Sequence, residues 1–300
     1  MKKLIIIFLI FPCISFSQEK KSFAVKDGTK LYYTTFGSGT KVVILYGGPG
    51  YGCNTIFNWA DILKSNQCIF FDQRGTGLSK NVKQDTSTIN LRTAVSDLEF
   101  LRKHLNEEKL TIIGFSWGAA LAMAYVAKYP EQVANLILVS PTGPDLSFRN
   151  EMYYNILSRR SQEETDSLNY WMQKDNIVKD EILAYKMQTY YSYIPYFYNH
   201  ESGGKMLWGL INNADYNPLM FNLMWEDLNR INYDIKAGLK KYRGKCTIIR
   251  GQQDVIGYKV IVQISQCLPQ TVVSEIHACG HFVDLECPYA FRFNIKTALK

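Results

Sequence analysis

A chain of 300 residues with 47% hydrophobic content can build one large α/β domain with an inserted lobe, or two small domains, and is neither disordered nor of low complexity. Its formal charge of +7 is a modest excess, with basic residues scattered among acidic ones and only brief pairs such as Arg159-Arg160 and Lys240-Lys241, so no nucleic-acid partner is expected. The seven cysteines include no CxxC pair, which removes support for a zinc or thioredoxin-type site, and neither metal nor cofactor is expected.

At the start, Lys2 and Lys3 precede an apolar run over 4–11, Pro12 breaks it, and Ser15 and Ser17 supply small residues before Gln18. This pattern predicts a secretory signal peptide over residues 1–17 and an exported protein, periplasmic or secreted. The run is shorter than the roughly 20 apolar residues of a stable span, and no later segment could span either. Phe11 and Pro12 are poor residues ahead of a lipidated cysteine, which argues against an anchor at Cys13. Six cysteines remain, an even number that permits disulfides in an exported chain. Cys68 and Cys246 sit in apolar strand-like runs as small hydrophobes, whereas a bridge between Cys279 and Cys287 would stiffen the loop they bracket.

Residues 31–36 and 42–46 read as strands joined through Gly37-Ser38-Gly39, in the manner of an entry hairpin. A glycine turn over 47–52, a helix near 59–63, a strand over 68–71 and a helix over 88–105 follow. A buried strand over 110–113, a helix over 119–128 stopped by Pro130, and a strand over 136–140 continue the βαβ rhythm of a parallel sheet. That rhythm breaks after Pro144. Residues 145–238 show helical spacing and many aromatics, above all over 190–198, and read as a helical cap inserted between core segments 18–144 and 239–300. The pattern resumes with strands over 246–250 and 271–277, a helix between them, and a final helix from Tyr289. The cap is expected above the C-terminal edge of the sheet, where open α/β sheets place their ligand crevices.

Between the strand over 110–113 and the helix after it stands the pentapeptide GFSWG, 114–118. A serine that must stand clear of its backbone at a strand end occupies a sharp turn, and Gly114 and Gly118 supply the small neighbours such a turn requires, so Ser116 is the expected nucleophile. It needs a general base, and four histidines are available. His104 suits a helix C-terminus and His200 a cap rim; His277 continues the last strand, whereas His281 follows Gly280 on the loop beyond and can turn across the sheet end. His281 is favoured over His277. The orienting acid should leave a neighbouring strand tip: Asp254, after the run 247–251, leads, with Asp145 as runner-up. Negative charge developing on the substrate oxygen must meet backbone donors, for which the amide of Trp117 and that of Gly48, in the turn 47–50, are the expected pair.

Taken together, YGGPG (46–50), DQRGTGLS (72–79), GFSWG (114–118), GQQD (251–254) and CGHF (279–282) resemble the α/β-hydrolase superfamily, and more narrowly its proline iminopeptidase branch, whose members remove N-terminal residues from short peptides. The order Ser116, Asp254, His281 is that of α/β-hydrolases. The resemblance implies an α/β fold with a mostly parallel sheet flanked by helices and a small-molecule or short-peptide substrate. Two positions depart from the branch: Tyr46 replaces the usual histidine before GGPG, and Val255 follows Asp254 where some members carry an acid. The aminopeptidase members hold the substrate amine with cap carboxylates, for which Glu226 is the best match and Glu201 stands behind it. Tyr190 and Tyr191 are expected in the pocket. The expectation is an exported serine aminopeptidase of this type, with an esterase or amidase for small acyl substrates, or a non-catalytic binding protein, as alternatives.

Overall fold

The computed structural model describes residues 18–300; the expected signal peptide and Cys13 lie outside them. Among the described residues eight strands form one sheet: β1 (Gln18–Ala24), β2 (Lys30–Phe36), β3 (Thr40–Leu45), β4 (Asn66–Asp72), β5 (Leu110–Phe115), β6 (Val133–Val139), β7 (Lys245–Gly251) and β8 (Thr271–Ile276). Their order across the sheet is β1-β2-β4-β3-β5-β6-β7-β8, antiparallel at β1/β2 and β2/β4 and parallel from there on. Helices α1 (Trp59–Ile62), α2 (Leu91–His104) and α3 (Trp117–Lys128) connect the first strands. Between β6 and β7 run α4 (Phe148–Arg159), α5 (Gln162–Met172), α6 (Lys174–Lys179), α7 (Glu181–Tyr193), α8 (His200–Asn213), α9 (Pro218–Arg230) and α10 (Lys236–Leu239). After β7 come α11 (Tyr258–Cys267), α12 (Val283–Glu286) and α13 (Pro288–Ala298). No helix of the described residues is long and apolar enough to cross a membrane.

Alternation along the central strands sorts their side chains onto two faces. Val43 and Leu45 of β3 join Ile112, Leu136 and Leu138 in a core with α2, α3 and α11. Val42 and Ile44 join Ile113, Ile137, Val139 and Ile249 in a second core with α1 and α13. Strands buried on both faces lose the polar alternation of a half-exposed strand, and for that reason β3, β5, β6 and β7 read as continuous apolar runs.

The entry hairpin is corrected. β2 does not pair with β3; it pairs with β1 on one side and β4 on the other. β3 lies between β4 and β5, both parallel to it, where an antiparallel neighbour has no place. The true hairpin partner, β1, carries no periodic signal because it is an edge strand whose one buried residue is Phe23.

The DQRGTGLS segment follows β4 and is a structural knot. Asp72 accepts the N–H groups of Cys53 (2.9 Å) and Leu78 (3.0 Å), and Thr76 closes its turn on the Gln73 carbonyl (2.8 Å). Gly77 has φ +48, and a Cβ there would strike the Asp72 carboxylate. Arg74 reaches back to α2, meeting both oxygens of Asp97 at 2.9 and 2.8 Å.

Candidate active site

β5 ends at Phe115 and α3 begins at Trp117, leaving Ser116 alone on the turn with φ +53 and ψ −115, a region that non-glycine residues rarely adopt. The strain is held by its surroundings: the Ser116 N–H donates to Val139 O at 2.9 Å, and its carbonyl accepts from Ala119 N at 3.0 Å. A Cβ on Gly118 would run into the Leu45 carbonyl, and one on Gly47 would lie 2.8 Å from the Cβ of Ser116. Gly118→Ala should therefore cost about 1–3 kcal/mol or more, because the obstacle is backbone and cannot rotate away. A urea midpoint equal to that of the wild type would contradict this packing.

His281 lies on the loop between β8 and α12. Its Nε2 is 3.1 Å from Ser116 Oγ, and its Nδ1 is 2.9 Å from Asp254 Oδ1. Asp254, on the turn after β7, also accepts the N–H of Ile256 at 2.9 Å. Burial works to raise the Asp254 pKa, but the charge and hydrogen bond of His281, the Ile256 N–H and Arg250 outweigh it, so the carboxyl is held below its ordinary value. The imidazole is boxed by the rings of Phe115, Tyr196 and Phe282, with centroids 5.2 to 5.4 Å away. The loop is fixed by backbone as well: His281 N–H donates to Tyr196 O (2.7 Å), and Ser140 Oγ donates to His281 O (2.8 Å).

The competing residues are engaged elsewhere. His277 Nδ1 pairs with Gln252 Oε1 at 2.7 Å, His200 Nδ1 with Glu164 Oε1 at 2.7 Å, and His104 Nε2 with the Tyr33 hydroxyl at 3.1 Å while stacking on Phe23. Asp145 is tied to Lys236. The geometry thus brings together Ser116, His281 and Asp254 from three chain segments.

Gly48, at φ +53, lines the same cavity as Ser116 and Trp117. Among the described residues neither the Gly48 N–H nor the Trp117 N–H donates to another protein group, and Trp117 opens α3, whose N-terminus favours negative charge. Gln73, unremarked as a site residue in the sequence, bridges the two segments: its Oε1 accepts from the Trp117 indole at 3.0 Å, and its Nε2 donates to Tyr46 O at 3.4 Å. The signal for it lay inside DQRGTGLS.

The cavity over Ser116 holds about 150 Å³, and apolar side chains dominate its walls, among them Tyr51, Met152, Tyr193, Leu207, Phe221 and Trp225. Among the described residues no Asp, Glu, Lys or Arg side chain lines it. Tyr46, stacked on Phe115 at 5.5 Å, presents an uncharged phenol whose pKa is driven up by burial.

The expected substrate contacts need correction. Tyr190 and Tyr191 do not line the cavity; Thr189, Tyr193 and Tyr196 do. Thr189 and Tyr193 share one side of α7 at the helical i, i+4 spacing and Tyr196 lies on the 3-10 turn that follows, while Tyr190 turns to Trp208 (6.1 Å) and Gly204. Glu226 is likewise absent from the wall: Trp225 faces the cavity, and the next residue on α9 is rotated by about 100°, into solvent. Glu201, at the start of α8, is exposed. The bridge weighed between Cys279 and Cys287 is not formed, and all six cysteines from Cys53 to Cys287 are thiols. Burial first, and then Cys287 beside it, push the Cys279 thiol up.

Comparison with protein families matches residues 41–286 to the family described as alpha/beta hydrolase fold. A cis-3-alkyl-4-alkyloxetan-2-one decarboxylase of Shewanella oneidensis is 26% identical over 281 residues, 88% of this chain and 83% of that protein. A proline iminopeptidase of Xylella fastidiosa is 39% identical over 119 residues, which are 38% of this chain and only 37% of that protein. Among solved structures, the proline iminopeptidase-related protein of Thermus thermophilus superposes with a TM-score of 0.71 at 20% identity, covering 94% of this chain and 97% of that one. An esterase of Exiguobacterium antarcticum superposes with a TM-score of 0.66 at 19% identity, covering 93% and 99%. With its mostly parallel sheet flanked by helices, the chain belongs to the α/β-hydrolase fold family and resembles the proline iminopeptidase branch within it.

Proposed function

We propose that this protein is an exported serine hydrolase in which Ser116 is the nucleophile, His281 the general base and Asp254 the group that orients it. The observation that carries the reading is the continuous hydrogen-bonded line from Asp254 through His281 to Ser116, at 2.9 and 3.1 Å. In the first half-reaction Ser116 Oγ bonds to the acyl carbon as its proton passes to His281 Nε2. The Gly48 and Trp117 amides receive the developing oxyanion, each worth about 3 kcal/mol. Collapse of the tetrahedral adduct breaks the bond to the leaving group, which takes the proton from His281. Water then gives its proton to His281, attacks the acyl-enzyme, and releases the acid with Ser116 restored.

The walls favour an ester or amide with an uncharged, apolar acyl group. A substrate ammonium would be stripped of water here with no carboxylate to face it, an expensive arrangement. The aminopeptidase reading draws its support from the likeness to proline iminopeptidases and would require the tyrosine-rich wall to hold the amine. Export is supported by the sequence pattern over residues 1–17.

The wild type should react covalently with a fluorophosphonate probe and hydrolyse short apolar p-nitrophenyl esters with a kcat/KM at least about tenfold above that for a prolyl amide reporter. The reverse order would restore the aminopeptidase assignment, and absence of labelling would sink the serine hydrolase. Recovery of secreted protein beginning at Gln18 would be the expected result for export; an intact residue 1 would contradict it.

A further inference from the structure

The segment from Tyr196 to Asn217 is fastened to the core at both ends, and each fastening lies on a loop that carries a reacting group. At its start, the Glu286 carboxylate bridges two chain segments. Glu286 Oε1 accepts the N–H groups of Tyr198 (2.7 Å) and Asn199 (3.2 Å), while Oε2 accepts the N–H of Gly280 (2.7 Å), the residue before His281. His281 N–H donates to Tyr196 O beside this bridge. At its end, Asn217 N–H donates to Gly50 O at 2.9 Å, Gly52 N–H donates to Asp215 O at 2.8 Å, and the rings of Tyr51 and Tyr216 lie 4.4 Å apart. Gly50 and Gly52 stand on the turn that presents Gly48.

Between the two fastenings runs α8, fourteen residues or about 21 Å long. The helix is continuous with its ties. Asn199, whose N–H is held by Glu286, caps α8 by accepting from Ser202 N at 3.0 Å. Asn217, whose N–H is held by Gly50, caps α9 by accepting from Leu219 N and Met220 N. The helix has little room to shift sideways, since Gly203 packs on the Phe197 ring and Gly204 on the Tyr190 hydroxyl with no space for a Cβ. Its Leu207, Leu210 and Ile211 form part of the cavity wall.

We infer that α8 is a brace that couples the His281 loop to the Gly48 turn, with Glu286 as the positioning residue that locks one end. The inference rests on the roles proposed for His281 and Gly48. A displaced imidazole or oxyanion donor weakens transition-state contacts without removing the substrate pocket, so loosening the brace acts on kcat more than on KM. Glu286 touches neither Ser116 nor the cavity, and its carboxyl is raised by burial against the three N–H bonds it accepts.

The test compares the full-length wild type with Glu286→Ala and Glu286→Gln. Glu286→Ala should lower kcat and the fluorophosphonate labelling rate by about tenfold to a hundredfold, even for an acetate ester, with KM changed less than about threefold. Glu286→Gln keeps one accepting oxygen and should fall between the two. Hydrogen exchange supplies a readout independent of turnover: in the Glu286→Gln protein, whose side chain is isosteric, the Gly52 and Asn217 amides at the far end of α8 should exchange faster than in the wild type. Exchange confined to the Glu286 neighbours, or wild-type labelling rates in both variants, would overturn the brace. If the wild type itself failed to label, the hydrolase reading would fall while the exchange measurement still judged the coupling.

Discussion

Replacing Ser116 with alanine should abolish covalent fluorophosphonate labelling and reduce ester turnover by at least about 10,000-fold, with the fold retained. The size follows from the chemistry: without Oγ no acyl-enzyme can form, and the Gly48 and Trp117 amides have no serine adduct to stabilise. Folding should survive, because the Ser116 backbone is held by Val139 and Ala119 and its hydroxyl meets only His281 among the described residues. Asp254→Asn should behave differently. It keeps the volume but cannot stabilise the imidazolium or hold Nδ1 protonated, so a loss of about 1,000- to 10,000-fold is expected. The burial of Asp254 and its lowered pKa mean that the ionised form is the one built into the fold. Equal labelling of the wild type and Ser116→Ala would place the nucleophile elsewhere.

The largest expected loss of stability comes from Arg74→Ala. Arg74 and Asp97 are 4% and 3% exposed, and the guanidinium also bonds Asp27 (2.8 Å) and the Thr29 hydroxyl (3.1 Å), so one side chain joins the β1–β2 turn, the knot after β4 and helix α2. Truncating it leaves a buried carboxylate without a partner, which costs about 3–5 kcal/mol. The pH dependence has a definite sign. Burial raises the Asp97 pKa and Arg74 opposes that rise. Without Arg74 only the upward push remains, so the folded variant favours protonated Asp97. Its deficit is full at neutral pH, where the unfolded chain holds the ionised form freely, and shrinks as pH falls toward the ordinary aspartate value of about 3.9. Urea titrations at pH 7 and pH 4 measure this directly. A deficit below about 1 kcal/mol at pH 7, or one independent of pH, would contradict it, and Arg74→Met with Asp97→Leu should recover most of the loss.

Much of the core was legible because its signals are local. Strands β3, β5, β6 and β7 are buried on both faces, and such burial writes itself as an apolar run. The elbow is legible for a steric reason: small residues must flank Ser116 where the chain doubles back on β3. Strand β1 left no trace, because an edge strand with one buried side chain needs no pattern. The pairing of β2 could not be read from its short link to β3, since pairing is decided by where β4 lies. Within the helices between β6 and β7, composition announced aromatics but not their directions. Tyr190 and Tyr193 look alike in the sequence and stand one helical turn apart, yet Tyr190 meets Trp208 and Gly204 of α8 while Tyr193 lines the cavity, because the neighbours packed against each turn of α7 differ. Gln73 stood inside the DQRGTGLS motif, but its reach to Trp117 and Tyr46 had no spacing to reveal it, and Glu286, which spans two loops outside any motif, left no signal at all.

By itself the sequence determined the elbow around Ser116 and the chain order of Ser116, Asp254 and His281, since both depend on steric limits and on elements a few residues long. Tertiary structure decided that His281 rather than His277 meets Ser116, that Asp254 rather than Asp145 meets His281, and that the cavity presents no carboxylate. Contacts spanning 165 and 27 residues depend on how the sheet and α8 are assembled, and nothing in the local chain encodes that assembly in a readable period.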